Sequence, residues 1–247
     1  MNILVVNDDG INAAGINKLV QALSRVADVY VFAPDGQRSA KSHSLTLTDC
    51  VYMTPVDFPG AVKAYTLSGT PADCTKFGLQ LLEDEGIRVD MVYSGINMGS
   101  NLGRDTLYSG TIGAAAEAAL DGYKAVAVSV DSHTPTYFEK ACELAVGLMD
   151  RVMEKLDAGY VLSINVPDLP AEKIKGVRLA NLGPRYYDDR FYPQEDGGFM
   201  LSGHPSFEEI CENQDSILIS EGYATVTPLQ FDFTAYDQFE NVGGWDF

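Results

Sequence analysis

The stretch Ile3-Leu4-Val5-Val6-Asn7-Asp8-Asp9-Gly10 decides the fold. Its first four residues are apolar and three of them are β-branched, which is typical of a parallel strand that is buried on both faces. A polar segment with two adjacent carboxylates and a glycine then follows. A buried strand that ends in such a loop predicts the opening of a doubly wound α/β sheet.

The residues after this loop continue the alternation of helix and strand. Apolar residues recur at helical spacing over 14–23 and predict a helix. Residues 29–33 read as a second strand, closed by a turn at 34–36. This order of strand, loop, helix and strand favours a mostly parallel sheet. The fold class is therefore predicted as α/β, Rossmann-like and doubly wound, with a smaller C-terminal hairpin or extension.

Further elements are predicted from the same kinds of spacing, and Pro71 favours the first turn of a helix. We predict strands over 45–54, 62–67, 89–93, 125–130, 160–166 and 216–229, and helices over 71–82, 111–120 and 138–156. The strands over 45–67 are interpreted as an inserted β element in a catalytic core that spans residues 1–170. Residues 177–200 alternate in polarity and favour a β-hairpin. Residues 171–247 are therefore predicted to form an extension for packing or oligomerisation.

The composition limits the partners of this protein. Of its 247 residues, 46% are hydrophobic, which supports a buried core. With 35 acidic and 17 basic residues, the formal net charge is −18. This charge argues against binding to a nucleic acid polymer, which needs a basic face, and against an anionic membrane surface. A small phosphate ester is compatible with it, because a bound cation reverses the field inside one cleft.

The sequence also indicates a location. Its N-terminal segment lacks the basic region of a signal peptide, and no apolar run approaches the roughly 18 residues of a membrane span. The four cysteines include no C-x-x-C pair, so scattered reduced thiols are expected rather than a zinc cage. We therefore expect a cytoplasmic protein.

Four polar segments lie at predicted strand ends or in the loops after them. They are Asn7-Asp8-Asp9-Gly10, the loop over 38–44 (the Ser39 loop), Ser94-Gly95-Ile96-Asn97 and Tyr108-Ser109-Gly110-Thr111. Doubly wound sheets bind ligands at the carboxyl ends of their strands, so these segments are expected to converge. Two carboxylates, a hydroxyl and a carboxamide form a hard, oxygen-rich set that suits Mg²⁺, Mn²⁺ or Ca²⁺. The alternative for Asp8 and Asp9 is a turn and helix cap, for which one acid is enough.

Candidate phosphate contacts lie in two of these segments. Ser109, Gly110 and Thr111 begin a predicted helix, where backbone N–H groups and the helix dipole favour an anion. Ordinary N-capping by a hydroxyl is the alternative there. Lys41 and His43 in the Ser39 loop supply positive charge, and are candidate phosphate contacts or simply solvated. The sequence contains neither G-x-G-x-x-G nor G-x-x-x-x-G-K, which argues against a dinucleotide cofactor or a nucleoside triphosphate cradle.

A series of short motifs runs from residue 1 to about residue 230. They are Asn7-Asp8-Asp9-Gly10, Ala33-Pro34 followed by Arg38-Ser39, Ser68-Gly69-Thr70-Pro71-Ala72-Asp73-Cys74, Ser94-Gly95-Ile96-Asn97-Met98-Gly99, Asn101-Leu102-Gly103, Tyr108-Ser109-Gly110-Thr111, and Gly222-Tyr223 before Thr227-Pro228-Leu229. Each motif is weak alone, but the ordered set is specific. Together they resemble the SurE family of nucleotidases.

The resemblance carries several implications for this chain. It implies a Rossmann-like core and a smaller C-terminal part that exchanges elements between subunits, and hence a homodimer or homotetramer. It implies a phosphoric monoester hydrolase, acid-phosphatase-like, that acts on nucleoside 5′- and 3′-monophosphates and on short polyphosphate. The metal site carried over consists of Asp8, Asp9, Ser39 and Asn97, with one Mg²⁺, Mn²⁺ or similar ion per subunit.

This chain departs from the family pattern in the Ser39 loop. The family often has glycine where Ala40 stands, and Lys41 and His43 occupy a loop that is commonly rich in Asn and Ser. Metal binding is expected to survive these differences, whereas phosphate contacts and substrate preference depend on them. Residues 186–213 have no clear counterpart in the pattern.

The chemistry expected at this site is metal-dependent hydrolysis of a phosphomonoester. Water is the expected nucleophile, oriented by Asp8 or Asp9 as the catalytic residues. A covalent aspartyl-phosphate is the competing route, although the Asp-x-Asp pattern of haloacid dehalogenases is missing. The alternative functions are a receiver-like metal-binding regulatory module and a nucleotide-binding protein without turnover. The chain is roughly twice as long as one receiver domain requires.

Overall fold

The computed structural model describes residues 1–205 and 210–245. Its strands are β1 (Asn2–Val6), β2 (Asp28–Pro34), β3 (Met53–Pro55), β4 (Lys63–Leu67), β5 (Met91–Met98), β6 (Lys124–Asp131), β7 (Tyr160–Pro167), β8 (Val177–Leu179), β9 (Arg190–Pro193), β10 (Phe199–Ser202) and β11 (Ala224–Gln230). Its α-helices are α1 (Ala14–Leu23), α2 (Pro71–Asp84), α3 (Gly110–Leu120), α4 (Glu139–Gly147), α5 (Met149–Lys155), α6 (Asp215–Ser220) and α7 (Phe239–Gly243). Short 3-10 helices lie at Gly103–Leu107, Ala171–Lys173 and Tyr236–Gln238.

Nine strands form one sheet in the order β3-β4-β2-β1-β5-β6-β7-β11-β8. The six strands from β4 to β7 are parallel, β3 and β11 run antiparallel to their neighbours β4 and β7, and β8 is parallel to β11. The chain first builds outward from β1 through β2 to β4, and then returns to β5 on the other side of β1. The predicted doubly wound α/β fold is confirmed. The position where strand order reverses lies between β1 and β5, which is where such sheets bind ligands.

The sheet separates two apolar cores. Ile3 and Val5 pack with α1 and α4 on one face, whereas Leu4 and Val6 pack with α2 and α3 on the other. Alternate residues of β1 thus point to opposite faces, as the strand period of two requires. All four side chains are fully buried. This double burial accounts for the unbroken apolar run at the start of the chain.

Two predicted helices are confirmed closely. α1 spans the predicted residues 14–23. α2 begins at Pro71, and its N-cap Thr70 accepts a hydrogen bond from Asp73 N–H while the Asp73 carboxylate accepts one from Thr70 N–H. This reciprocal capping box satisfies backbone donors that a helix start leaves free. The Ser-Gly-Thr-Pro-Ala-Asp motif is therefore a helix-start signal.

The predicted strand over 45–54 is wrong for most of its length. Only Met53–Pro55 forms a strand, and Leu47 is 86% exposed. Thr46 instead binds Asp73 through its backbone N–H and its hydroxyl, which holds the segment across the start of α2. β4 pairs in parallel with β2. The strands interpreted as an inserted β element are therefore an edge of the main sheet.

The C-terminal third also differs from the prediction. Residues 215–220 form α6 instead of the start of a strand over 216–229, and only β11 is extended. A short apolar run such as 217–219 fits a buried helical turn as well as a strand, so its pattern decides poorly between them. The predicted hairpin exists as β9 and β10, which pair antiparallel over four residues each. β8, inside the segment predicted as hairpin, belongs to the main sheet.

The division of the chain at residue 170 stays a prediction. β8 and β11 follow this position and join the main sheet. Parts of the predicted extension, residues 206–209 and 246–247, lie outside the described residues. Among the helices of the described chain, none has the length and apolar character that a membrane span requires.

Candidate functional site

The acidic pair lies in a tight loop at the end of β1. The Asn7 side chain donates to Gly10 O and accepts from Gly10 N–H, so it closes the loop on itself. Gly10 has a φ of 94°, and a Cβ there would lie 3.0 Å from the carbonyl carbon of Gly36. A glycine is needed for both reasons. The loop therefore projects Asp8 and Asp9 from the carboxyl edge of the sheet.

Asp8 is almost completely buried, at 3% exposure, and faces the start of α3. Its Oδ1 accepts a hydrogen bond of 2.6 Å from the Thr111 hydroxyl. Its backbone carbonyl accepts one of 2.7 Å from Arg38 N–H, which brings the Ser39 loop to the same place. Burial raises the pKa of the Asp8 carboxyl to about 6; the Thr111 hydrogen bond opposes this rise and the neighbouring Asp9 carboxylate adds to it. An anion held in this position needs positive charge nearby.

Asp9 faces β5. Its Oδ2 accepts a hydrogen bond of 2.9 Å from Met98 N–H. Its Oδ1 is buried and has no hydrogen-bond partner within residues 1–205 and 210–245. Burial raises the pKa of the Asp9 carboxyl, while the hydrogen bond from Met98 N–H and the nearby Gln37 side chain act to lower it. A buried carboxylate oxygen without a partner is costly, and a cation would remove that cost.

Asn97 stands one residue from the N–H that binds Asp9. Its Nδ2 donates to Gly99 O at 2.7 Å, which leaves Oδ1 as the available ligand atom. The pairing of β5 with β6 shifts between Ser94 and Asn97, where Gly95 has a φ of 132°. A Cβ on Gly95 would lie 2.2 Å from Val128 O, so only glycine fits. The Ser-Gly-Ile-Asn motif therefore encodes an irregular strand that places its amide beside Asp9.

The start of α3 adjoins Asp8. The Ser109 hydroxyl accepts from Ile112 N–H at 3.0 Å, so it is the N-cap of this helix, as the capping alternative predicts. A Cβ on Gly110 would lie 2.9 Å from Asp8 Cβ. Both hydroxyls of the Ser-Gly-Thr motif are thus engaged within the protein. What the motif presents to a ligand is the dipole and the first-turn backbone N–H groups of α3, which favour an anion.

The Ser39 loop reaches the site from β2. The Ser39 hydroxyl is exposed and accepts a hydrogen bond of 3.0 Å from the Gln37 amide, and the Gln37 side chain also acts to lower the pKa of Asp9. Lys41 is exposed and forms no ion pair with any described residue. His43 points elsewhere, because its Nε2 lies 2.6 Å from Glu117 Oε2. The roles of these residues in phosphate binding stay predictions.

A cavity of about 190 Å³ adjoins the site and was not expected from the sequence. Its lining includes Ser100, Asp105, Asp131, His133, Arg185 and Tyr187. His133 lies beside Gly99, and its charge acts to lower the pKa of Asp9. Asp131 ends β6 and His133 follows it, near the same strand edge as the acidic pair after β1, so the strand-end signal could have identified them. Arg185 and Tyr187 carry no such signal.

The residues brought together suit a hard cation. The candidate donor set contains the two carboxylates, the Asn97 amide oxygen and the Ser39 hydroxyl, which the Gln37 amide binds. Within the part of the chain that the structure describes, no group of three or more His, Cys, Asp or Glu side chains forms a metal site. A cation here would therefore take further ligands from water or substrate, as Mg²⁺ and Mn²⁺ do. The unpartnered Asp9 Oδ1 fits such an ion.

Comparisons with known proteins agree with this fold. The family model described as "Survival protein SurE" matches residues 3–189. A protein named 5′-nucleotidase SurE from Synechococcus sp. is 41% identical over 99% of this chain and 97% of its own length. One from Symbiobacterium thermophilum is 38% identical over 99% and 98%. The crystal structure of the SurE protein from Aquifex aeolicus is 34% identical, with a TM-score of 0.85 over 98% of both chains.

Proposed function

The chain belongs to the SurE family, and on that basis we propose that it hydrolyses nucleoside 5′-monophosphates to nucleoside and phosphate with a divalent metal ion. The relatives named 5′-nucleotidase cover almost the whole chain, which supports this substrate class. One observation in the site carries the metal dependence. Asp8 and Asp9 are both held in positions where burial raises the pKa of a carboxyl, and Asp9 Oδ1 has no partner among the described residues.

Asp8, Asp9, Asn97 and Ser39 would hold one Mg²⁺, Mn²⁺ or similar ion per subunit. Such an ion supplies Lewis-acid stabilisation of the charge on the phosphoryl group. The acidic pair keeps the fixed orientation that this role needs, because Asp8 is bound by Thr111 and Asp9 by Met98 N–H. The free atoms are then Asp8 Oδ2 and Asp9 Oδ1, both from one loop.

The protein groups around this acidic pair would bind and orient the substrate. The N-terminus of α3 would receive the phosphate oxygens, and Lys41 would add positive charge. Asp8 or Asp9 would orient the attacking water and take its proton. The water oxygen forms a bond to phosphorus, the bond from phosphorus to the nucleoside oxygen breaks, and that oxygen leaves with a proton.

Finer features of the proposal follow the family. We include 3′-monophosphates, short polyphosphate and the acid-phosphatase-like class in the proposal, together with a homodimer or homotetramer. The exposed side chains of Phe191 and Phe199 on the β9–β10 hairpin support assembly through that hairpin, since a large apolar patch favours a protein partner. The cytoplasmic location stays a prediction.

A phosphate-release screen tests the proposal. The purified protein is stripped with EDTA, and each nucleoside 5′- and 3′-monophosphate is then assayed with Mg²⁺ or Mn²⁺. We expect release from 5′-monophosphates only after the metal is restored. Release that is equal with and without EDTA would contradict the metal site. A stable added phosphoryl group after treatment with a small phosphodonor, seen by mass spectrometry without turnover, would support the receiver-like module instead.

A further inference from the structure

Glu117 lies in the middle of α3 and is buried although it carries charge. Both of its carboxylate oxygens are engaged: Oε2 lies 2.6 Å from His43 Nε2 and Oε1 lies 2.5 Å from Lys76 Nζ. Burial acts to raise the pKa of Glu117, but the hydrogen bonds from Lys76 and His43 outweigh it and lower that pKa. The side chain therefore joins three parts of the protein, namely α3, α2 and the Ser39 loop.

The Ser39 loop depends on contacts outside itself. Ala40 and Ser42 both have a φ of 54°, a left-handed conformation that non-glycine residues adopt only when their surroundings impose it. Ser42 donates from its hydroxyl to Leu107 O at 2.6 Å and from its N–H to Tyr108 O at 3.0 Å. His43 to Glu117 is the next contact along the loop. These bonds fasten one side of the loop to the segment that leads into α3.

α3 has a matching surface for the loop. A Cβ on Gly113 would lie 2.4 Å from Ser42 O and 2.9 Å from His43 Cα, so the loop backbone occupies the space that a side chain would need. Glu117 lies four residues further along α3, one helical turn below this glycine. The His43 side chain therefore runs along α3 to reach it. The contact is built from two positions on the same helix face.

We propose that Glu117 is a positioning residue, which acts through His43 to hold the Ser39 loop against α3 so that Ser39 and the Gln37 amide stay beside Asp9. We call the contact of His43 with Glu117, which holds the loop against α3, the clamp. The metal-binding part of this inference rests on the proposed function, whereas the clamp does not. Lys76 provides an internal contrast. It binds the same carboxylate from α2 and also pairs with Asp121, so its loss removes a charge partner and leaves the bond between His43 and Glu117 in place.

Trypsin measures the clamp without metal or substrate. Arg38 precedes Ser39, and cleavage of the bond between them reports how often the loop opens. In EDTA we expect Glu117→Gln and His43→Ala to raise the rate of this cleavage roughly tenfold, as loss of a hydrogen bond to a charged group predicts. Lys76→Met is expected to stay within about twofold of wild type by the same reasoning. Glu85→Gln breaks the exposed ion pair with Lys63 and serves as the matched control.

Calorimetry of Mn²⁺ binding gives the second readout. We expect Glu117→Gln and His43→Ala to weaken Mn²⁺ binding by a similar factor, and the double variant to be no weaker than either single one, because both changes break one contact. Equal effects of Lys76→Met and His43→Ala on Arg38 cleavage would overturn the proposal, and so would unchanged cleavage in Glu117→Gln. If wild type binds no Mn²⁺, the proposed function fails. The trypsin rates then still show whether the contact of His43 with Glu117 holds the Ser39 loop.

Discussion

The Thr111 hydroxyl donates a hydrogen bond of 2.6 Å to Asp8, which joins the first turn of α3 to the loop after β1. The two residues are 103 positions apart in the sequence. The bond holds one oxygen of a buried carboxylate and leaves the other free. The orientation of Asp8 therefore depends on the placement of α3.

Thr111→Val removes this bond while it keeps the shape of the side chain. A hydrogen bond to a charged group contributes about 1.5–3 kcal/mol, so we expect kcat/KM for AMP to fall roughly 10- to 100-fold. Because the bond lowers the pKa of Asp8, the acid side of the pH–rate profile should also move to higher pH. Thr111→Ser keeps the hydroxyl and is the control. A Thr111→Val enzyme within twofold of wild type would exclude this role.

Asp8→Asn should abolish hydrolysis and stabilise the metal-free fold. Burial raises the pKa of Asp8 from 3.8 to about 6, so the folded state binds a proton more tightly than the unfolded state does. The charged form therefore costs stability above pH 6, and this cost disappears as the pH falls from 6 towards 4. At pH 7.5 the shift corresponds to about 3 kcal/mol at most. Urea unfolding in EDTA measures the gain. Hydrolysis of p-nitrophenyl phosphate at the wild-type rate would show that the site is misassigned.

The stabilisation that Mn²⁺ gives to the folded protein should increase as the pH rises. The metal-free fold behaves in the opposite way, because the cost of the charged Asp8 grows with pH. Protons compete with the cation for Asp8, whose pKa is about 6. At pH 5.0 only about a tenth of this carboxylate is ionised, so we expect Mn²⁺ binding to be roughly tenfold weaker than at pH 7.5. The increase in Tm with saturating Mn²⁺ should accordingly be larger at pH 7.5. An increase that is equal at both pH values would contradict the role of Asp8, and Asp8→Asn should show none at either.

Gly110→Ala tests the space between α3 and the acidic pair. Its new Cβ would lie 2.9 Å from Asp8 Cβ and 3.0 Å from Asp8 Oδ2, so the carboxylate has to move. A catalytic group that is misplaced by about 1 Å loses about a hundredfold in kcat/KM. Gly147→Ala is the control, because Gly147 is also a terminal residue of a helix, the last of α4, and a Cβ there meets nothing within 4 Å in the described chain. We expect the control to keep its activity and to raise Tm slightly.

Ala40→Val tests the left-handed backbone of the Ser39 loop. At a φ of 54° a β-branched side chain is strongly disfavoured, and we expect the free energy of unfolding to fall by about 1–2 kcal/mol. Ala40→Gly should be tolerated, since glycine adopts this conformation without steric cost. Equal stability of the two variants in urea would contradict the strained conformation.

The strand ends were the part of the site that the sequence predicted well. Asp8, Asp9 and Asn97 follow or end buried parallel strands, and the hydrogen bonds of Asp8 to Thr111 and of Asp9 to Met98 N–H confirm that the segments converge. Parallel strands align their carboxyl ends, so local pattern and topology agree there. Whether these residues bind a metal stays a prediction.

The partners of individual side chains were not predictable in the same way. His43 has a side chain of the type that contacts phosphate, yet its Nε2 lies 2.6 Å from Glu117, 74 positions away in the sequence. Residues 45–52 have the alternation of a strand, but Thr46 is bound by Asp73, which holds this segment at the start of α2. In both cases a long-range contact overrides a local pattern. A single sequence contains no direct signal for such contacts.

The position of β11 has a consequence for synthesis. This last strand inserts between β7 and β8, and both of those precede it in the chain. While a ribosome is still extending the protein, the outer side of β7 therefore presents unsatisfied backbone groups until residues 224–230 emerge. An open strand edge recruits other chains. A nascent chain of this protein thus passes through a stage in which the open edge of β7 is a binding site for a chaperone, and that stage ends only when residues 224–230 have been translated.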